Sequence, residues 1–233
     1  TTSGIETSSL INATTVPNSG MASSALIIAG RKGVTIDAAA GDDTIVGSST
    51  GDSITGGTGN DSIDAGAGND IITFDKDDII DGNLGIDTVV ATAAIGESAV
   101  LPDNNLINVE NVKVKSASIF SFVNQTEDLN ISVDSTETIT NRHTITGGQG
   151  NDTISGFSAF DTITGGKGMD VLTGGAGGDT FVFAAGDNGD APEAKVFDTI
   201  TDFAAGDIID FGTTLSIDPV AAEAVAGRAS ISA

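Results

Sequence analysis

Apolar residues recur along this chain at a step of nine, not at the steps that mark a long strand or a helix. Ile27, Ile36, Ile45, Ile54, Ile63 and Ile72 form one ladder, and Ile154, Ile163, Leu172 and Phe181 form another. By the two-residue alternation of a strand, each is the inward-facing middle of a very short strand whose neighbours point outward. From Ile45 onward an aspartate stands two residues earlier: Asp43, Asp52, Asp61 and Asp70, then Asp152, Asp161, Asp170 and Asp179. Ile27 and Ile36 keep the step while Ala25 and Val34 hold the aspartate positions, which predicts a metal-free leading coil over about residues 26–37. After a slip of one residue the pattern continues with Asp78 before Ile80 and Asp87 before Val89.

Between the apolar positions lie glycine-rich turns. GGTGNDSID (56–64), AGAGNDIIT (65–73), GNLGIDTVV (82–90), GGQGNDTIS (147–155), GGKGMDVLT (165–173) and GGAGGDTFV (174–182) share one scheme: six residues of turn, then three of strand. Glycine supplies the positive φ angles that such turns need. Two units make one coil of 18 residues, which stacks Asp43 over Asp61, Asp52 over Asp70, Asp152 over Asp170 and Asp161 over Asp179. The predicted fold is therefore all-β, a solenoid of parallel strands. It divides into a leading extension (1–25), a first repeat segment (26–90), a motif-free segment (91–140), a second repeat segment (141–183), a capping segment (184–212) and an Ala-rich tail (213–233).

Charge sharpens this picture. There are 33 acidic and 9 basic residues, a net charge of −24, which argues against nucleic acid or anionic lipid as a partner. No stretch of the sequence is apolar for long enough to insert into a membrane as a helix. Regular isoleucines and 31 glycines set the chain apart from a disordered acidic tail. With ten Phe and neither Trp nor Tyr, a thin core of stacked aliphatic layers fits better than a thick one. Stacked strands lie about 4.8 Å apart, where two carboxylates repel by roughly 3 kcal/mol at an effective dielectric near 20. A divalent cation between successive turns reverses that sign. Oxygen donors, no Cys and a single His select calcium over zinc or copper.

The units GGTGNDSID and GGQGNDTIS resemble the RTX, or repeats-in-toxin, consensus of calcium-binding β-rolls. That resemblance covers roughly residues 38–90 and 141–212. It implies a right-handed parallel β-roll with a C-terminal cap, several bound Ca2+ ions, folding triggered by calcium outside the cell, and type I secretion. It also carries the calcium-ligand role to Asp43, Asp52, Asp61, Asp70, Asp78, Asp87, Asp152, Asp161, Asp170 and Asp179, and to Asp198 and Asp207 in the capping segment. Through their carbonyls it adds Gly41, Gly57, Gly59, Gly66, Gly68, Gly85, Gly148, Gly150, Gly166, Gly168, Gly175 and Gly177. Thr50, Phe157 and Ala159 depart from the consensus.

The segment 91–137 lacks the motif but stays strand-like: Val112 and Val114 alternate with lysines, and Leu129, Ile131 and Val133 with polar residues. Each repeat cluster alone gives about two coils, fewer than the three or so a solenoid needs. One continuous solenoid, with three metal-free coils in the middle, is therefore expected; an inserted small domain is the rival. In the capping segment VFDTITDFAAGDIIDF (196–211), Ile200 and Ile209 are expected to point inward, and the tail reads as a short helix.

Two decoys fall away. Gly47-Ser48-Ser49-Thr50-Gly51 spells the hydrolase elbow G-x-S-x-G, but it sits inside a repeat and lacks a strand-to-helix setting. His143 holds a sixth position of a degenerate turn with Ile145 two residues on, and a lone histidine builds no zinc site of the usual kind. No catalytic site is expected. The functional expectation is a secreted or cell-surface structural protein, an S-layer subunit or adhesin fragment, associating with itself or neighbouring domains. Its composition and motif-free coils are similar to those of S-layer-type RTX proteins. The alternatives are the folding tail of a larger toxin or enzyme, and an ice- or ligand-binding module suggested by the outward threonines Thr144, Thr162 and Thr180.

Overall fold

The computed structural model describes residues 6–11, 15–17, 24–30, 32–75, 77–91, 105–115, 119–133, 142–184, 187 and 197–212. Within them the chain forms short strands. In chain order these are β1 (Glu6–Ile11), β2 (Thr15–Pro17), β3 (Ala25–Ala29), β4 (Thr35–Asp37), β5 (Thr44–Ser48), β6 (Ser53–Thr55), β7 (Ser62–Gly66) and β8 (Ile71–Phe74). Next come β9 (Ile79–Asp81), β10 (Thr88–Ala91), β11 (Leu106–Ile107), β12 (Asn111–Val114), β13 (Ile119–Ser121) and β14 (Asn130–Val133). The last are β15 (Thr144–Thr146), β16 (Thr153–Ser155), β17 (Thr162–Thr164), β18 (Val171–Thr173), β19 (Thr180–Val182), β20 (Thr199–Ile200) and β21 (Ile208–Asp210). No helix among the described residues is long and apolar enough to cross a membrane.

Successive strands belong to opposite walls. The even-numbered strands β2 to β20 make one sheet of ten. The odd-numbered strands make two sheets, β1 to β11 and β13 to β21. Strand pairing is parallel throughout, as a chain winding in one sense requires. Register follows the apolar ladder: Ile27 opposes Ile45, Ile36 opposes Ile54, Ile45 opposes Ile63 and Ile54 opposes Ile72. The fold is thus the β-roll solenoid that the nine-residue step predicts.

The core is the space between the walls. Ile45, Ile54, Ile63, Ile72, Ile80, Val89, Ile154, Ile163, Leu172 and Phe181 are all buried, one from each strand centre. Thr-Ile-Thr strands such as β15 and β17 show the logic: the isoleucine is buried and both threonines are partly exposed. β-branched residues suit such strands because both faces of the pleat are crowded by the coils above and below.

The middle of the chain continues this wall, though at a different pitch. Val89 opposes Val112, Val112 opposes Ile131 and Ile131 opposes Ile154, all four buried in one line. Coil offsets there are 23, 19 and 23 residues, against 18 in the repeats, or 17 at the slip before Asp78 and Asp87. Phe120, Phe122 and Leu129 join the core at this level. The odd wall behaves differently: β11 pairs back to β9 and β13 pairs forward to β15, with no bond between β11 and β13 among the described residues.

At the near end the leading segment joins the walls, and at the far end one sequence expectation fails. β1 pairs with β3 and β2 with β4, so the walls begin before residue 26. At the far end β20 adds to β18 and β21 to β19 at an offset of 28 residues. Ile209, expected inside, is 40% exposed, because no described coil follows to cover it. Phe203 rests near Phe181 and Phe211 near Phe183, giving partial cover. The Ala-rich tail lies outside the described residues.

The unbroken valine–isoleucine line through the motif-free coils should matter to the stability of the whole roll. Ile131→Ala is expected to destabilise by about 2–5 kcal/mol, the usual range for truncating a fully buried aliphatic residue. Urea unfolding in saturating calcium would measure it, and a loss under about 0.5 kcal/mol, the level of an ordinary surface change, would refute the placement.

Candidate metal centre

Each sixth-position aspartate reaches back one coil. The Asp43 N–H donates to Asp61 Oδ1 at 2.8 Å, Asp52 to Asp70 at 2.7 Å, Asp61 to Asp78 at 2.9 Å and Asp70 to Asp87 at 2.8 Å. In the second array Asp152 donates to Asp170 and Asp161 to Asp179, at 2.8 and 2.9 Å. Asp198 and Asp207 accept in the same way from Asp170 and Asp179, both at 2.9 Å. Where an array begins, the first aspartates cap a residue without a carboxylate: Asp43 caps Ala25, Asp52 Val34, Asp152 Leu129 and Asp161 His143. The ten aspartates from Asp43 to Asp179 are buried, while Asp198 and Asp207 are half-buried.

The second carboxylate oxygen decides what the turns can hold. On Asp43, Asp61, Asp70, Asp87 and Asp170 it is buried and accepts no hydrogen bond. Elsewhere the chain supplies a donor: Ser48 N–H to Asp52 (2.6 Å), Asp75 N–H to Asp78 (2.9 Å), Gly148 N–H to Asp152 (2.6 Å) and Ala204 N–H to Asp207 (2.7 Å). A buried, unpaired carboxylate is costly, and the cost shows in its proton affinity. Burial, reinforced by nearby aspartates, pushes Asp70 up to about 6 and Asp170 up to about 7; it also pushes Asp78 up to about 7, although both of its oxygens accept N–H groups. Asp161 is the exception. Burial pushes it upward, but hydrogen bonds from the His143 ring (3.1 Å) and backbone outweigh that and hold it below the usual carboxylate value.

Backbone oxygens converge on the same places. The spot where a β-carbon would stand on Gly47 lies 2.8 Å from Asp52 Oδ2 and closer still to the Ala65 carbonyl of the next coil. Gly156 is set in the same way between Asp161 Oδ2 (2.7 Å) and the Gly174 carbonyl. These first-position carbonyls escape sequence reading, which points to the second and fourth positions. The glycines named there do serve the turn: Gly41, Gly57, Gly59, Gly66, Gly68, Gly85, Gly166, Gly168, Gly175 and Gly177 have positive φ. Gly148 and Gly150 do not; a side chain on either would strike the backbone of Gln125 or Glu127 in the preceding coil. The carbonyls of Gly66 and Gly148 each accept an inter-coil N–H, at 3.1 and 3.0 Å, which leaves one lone pair apiece. Among the described residues no three acidic or histidine side chains gather around one point. An ion between coils would therefore take few carboxylates and mostly carbonyl oxygens, a donor set suited to calcium.

Four copies of the RTX calcium-binding nonapeptide repeat match the chain, over residues 20–52, 47–76, 144–168 and 155–189. The chain carries RTX repeats. RTX nonapeptide repeats bind calcium, and the buried aspartate ladder accommodates several ions. No curated protein matches the chain. The unit 82–90 lies outside the matched RTX copies, yet Asp87 is buried and bonded as the matched aspartates are.

Two further groups went unread in the sequence. At the fifth position of RTX units an Asn or Asp accepts from the coil after it: Asp42 from Asn60 N–H (3.0 Å), Asn69 from Ile86 N–H (3.2 Å) and Asn151 from Met169 N–H (2.9 Å). This outer ladder runs opposite in sense to the aspartate ladder. In the capping segment, Asp202 accepts from the N–H groups of Gly174 and Gly175, at 2.9 and 2.8 Å, closing the last RTX turn. In the G-x-S-x-G string the serine at the elbow position, Ser49, is exposed in a bend, while its neighbour Ser48 ends β5 and is tied by its hydroxyl to Asp52 at 2.9 Å.

Two outcomes are expected. The raised carboxyls bind protons more tightly folded than unfolded, so their contribution to calcium-free stability is full below about pH 4 and lost as pH rises through about 6–7. Circular dichroism in calcium-stripped buffer should show more β structure at pH 4.5, near the low end of that range, than at pH 8, above it; an equal or reversed ordering would contradict it. Gly166, at φ +106°, faces the Gly148 carbonyl, so Gly166→Ala should raise the calcium concentration needed for folding by about tenfold or more. An unchanged folding midpoint would show that the turn has room to spare.

Proposed function

We propose that this chain is a calcium-dependent structural module of the bacterial cell surface, an S-layer subunit or adhesin segment that folds after type I secretion. The observation that carries this reading is the set of five buried carboxylate oxygens without a donor, on Asp43, Asp61, Asp70, Asp87 and Asp170. With a net charge of −24 the chain repels itself where calcium is scarce, which keeps it unfolded and exportable. At millimolar calcium, ions between coils join the turns and the roll closes. Extracellular calcium modules bind at about 10⁻⁴ to 10⁻³ M, the range expected here. No catalytic role is assigned to His143 or Ser49.

The motif-free coils support a structural role over that of a folding tail alone. They lengthen the roll without adding repeat aspartates, and their strands join both arrays to one wall. A calcium titration followed by circular dichroism tests the folding switch. A cooperative rise of β signal is expected, and a chain already β-rich in excess chelator at pH 8 would refute it. Electron microscopy at millimolar calcium tests the surface role. Ordered self-association is expected, whereas a chain that stays monomeric at all calcium concentrations would favour the folding-tail alternative.

A further inference from the structure

Where the first array meets the motif-free coils, the two edges of the roll end in different chemistry. On one edge the line Asp43–Asp61–Asp78 gives way to Asn105, whose Nδ2 donates to the Asp78 carbonyl at 2.8 Å. Both carboxylate oxygens of Asp78 already accept backbone N–H groups, from Asp61 and Asp75. That edge closes with neutral groups.

The other edge does not. Along Asp52–Asp70–Asp87 the next place is taken by Glu110, which lies in no RTX copy. Asp87 N–H donates to Glu110 Oε2 at 2.7 Å, the same bond each aspartate forms with the carboxylate of the coil after it. Asp87 is fully buried, and its Oδ2 has no partner. The spot beside Gly82 where a β-carbon would stand is 2.6 Å from that oxygen and closer to the carbonyl of Asn108, in the Glu110 coil. This is the arrangement found at Gly47 and Gly156, with Asn108 in the place of Ala65 or Gly174. Asn108 itself adopts φ +52°, a left-handed conformation that asparagine tolerates better than most residues.

We propose that Glu110, together with the Asp87 carboxylate and the Asn108 carbonyl, holds a further calcium ion that closes the first array. The proposal rests on the calcium reading above. The turn here is only Asn108, Val109 and Glu110, against six residues in an RTX unit, so fewer carbonyls are at hand. Glutamate's extra methylene suits it to reach across this shorter turn. Glu110 is exposed, which leaves the outer side of the site to water ligands, as calcium accepts readily. Burial, followed by the nearby Glu110 charge, raises the proton affinity of Asp87, and a cation would relieve both effects. With fewer protein ligands this site should be the weakest and the last to fill.

Native mass spectrometry and equilibrium dialysis of the full chain with calcium alone test this, comparing it with Glu110→Gln. Glutamine keeps an acceptor for the Asp87 N–H and removes only the charge. The variant should bind one ion fewer, or lose at least about tenfold in its weakest step. The same ion count with an unchanged isotherm would overturn the proposal. If the variant does not fold, the unsubstituted chain still decides: the Glu110 side-chain carboxyl carbon should shift in NMR as the last ion binds. A resonance that stays still at saturation would overturn the proposal. An unsubstituted chain that binds no calcium at all is a distinguishable result, because it removes the calcium reading itself.

Discussion

The hydrogen bond from a sixth-position N–H to the carboxylate of the next coil is the constraint on which the rest of this structure depends. It fixes the vertical spacing of the turns and draws each aspartate inward, into burial. A carboxylate has two oxygens, and this bond uses one. The other must face a backbone donor, a proton or a cation, since an unpaired charge away from water is too costly to keep. A bond that organises the turn thereby makes the turn incomplete by itself. Calcium binding is the consequence of a stacking rule applied to an acidic residue.

The non-RTX coils show the same rule with other side chains. Asp152 and Asp161 cap Leu129 and His143, which bring no carboxylate of their own, and there the chain meets more of the demand from within. Asp78 is served by Asp75, and Asp52 by Ser48. Asp52, Asp78 and Asp152 thus draw on protein donors, while Asp43 and Asp87 at the two ends of the first array keep an oxygen open, as Asp61, Asp70 and Asp170 do. At Asp87 a carboxylate also faces the turn from outside the repeats.

Much of this was legible in the sequence because the repeat is short and strict. The nine-residue step located Ile45 to Ile72 and Ile154 to Phe181 in the core, and the two-coil stacking of Asp43 on Asp61 followed from it. Coil length in the middle was not legible, since Val112 and Ile131 carry no turn signature to count from. Ile209 was misread because period shows which way a residue points in a full coil, not whether another coil covers it. The carbonyls of Ala65 and Gly174 were invisible for a different reason: any residue has a carbonyl, and only the coil geometry aims it. Glu110 and Asp202 were missed because each does an aspartate-ladder or capping task at a spacing the repeat does not use.

The walls of the roll are unequal. Among the described residues one is a ten-strand sheet, and the other is two sheets with no bond between β11 and β13. Hydrogen bonds along the solenoid axis resist stretching, so the continuous wall acts as a spine and the divided wall as a joint. Under load such a rod flexes most easily by opening its jointed side. Its compliance would sit at mid-length, between the two repeat segments and beside the place where Glu110 faces Asp87, so that an ion held there would change how readily the joint opens.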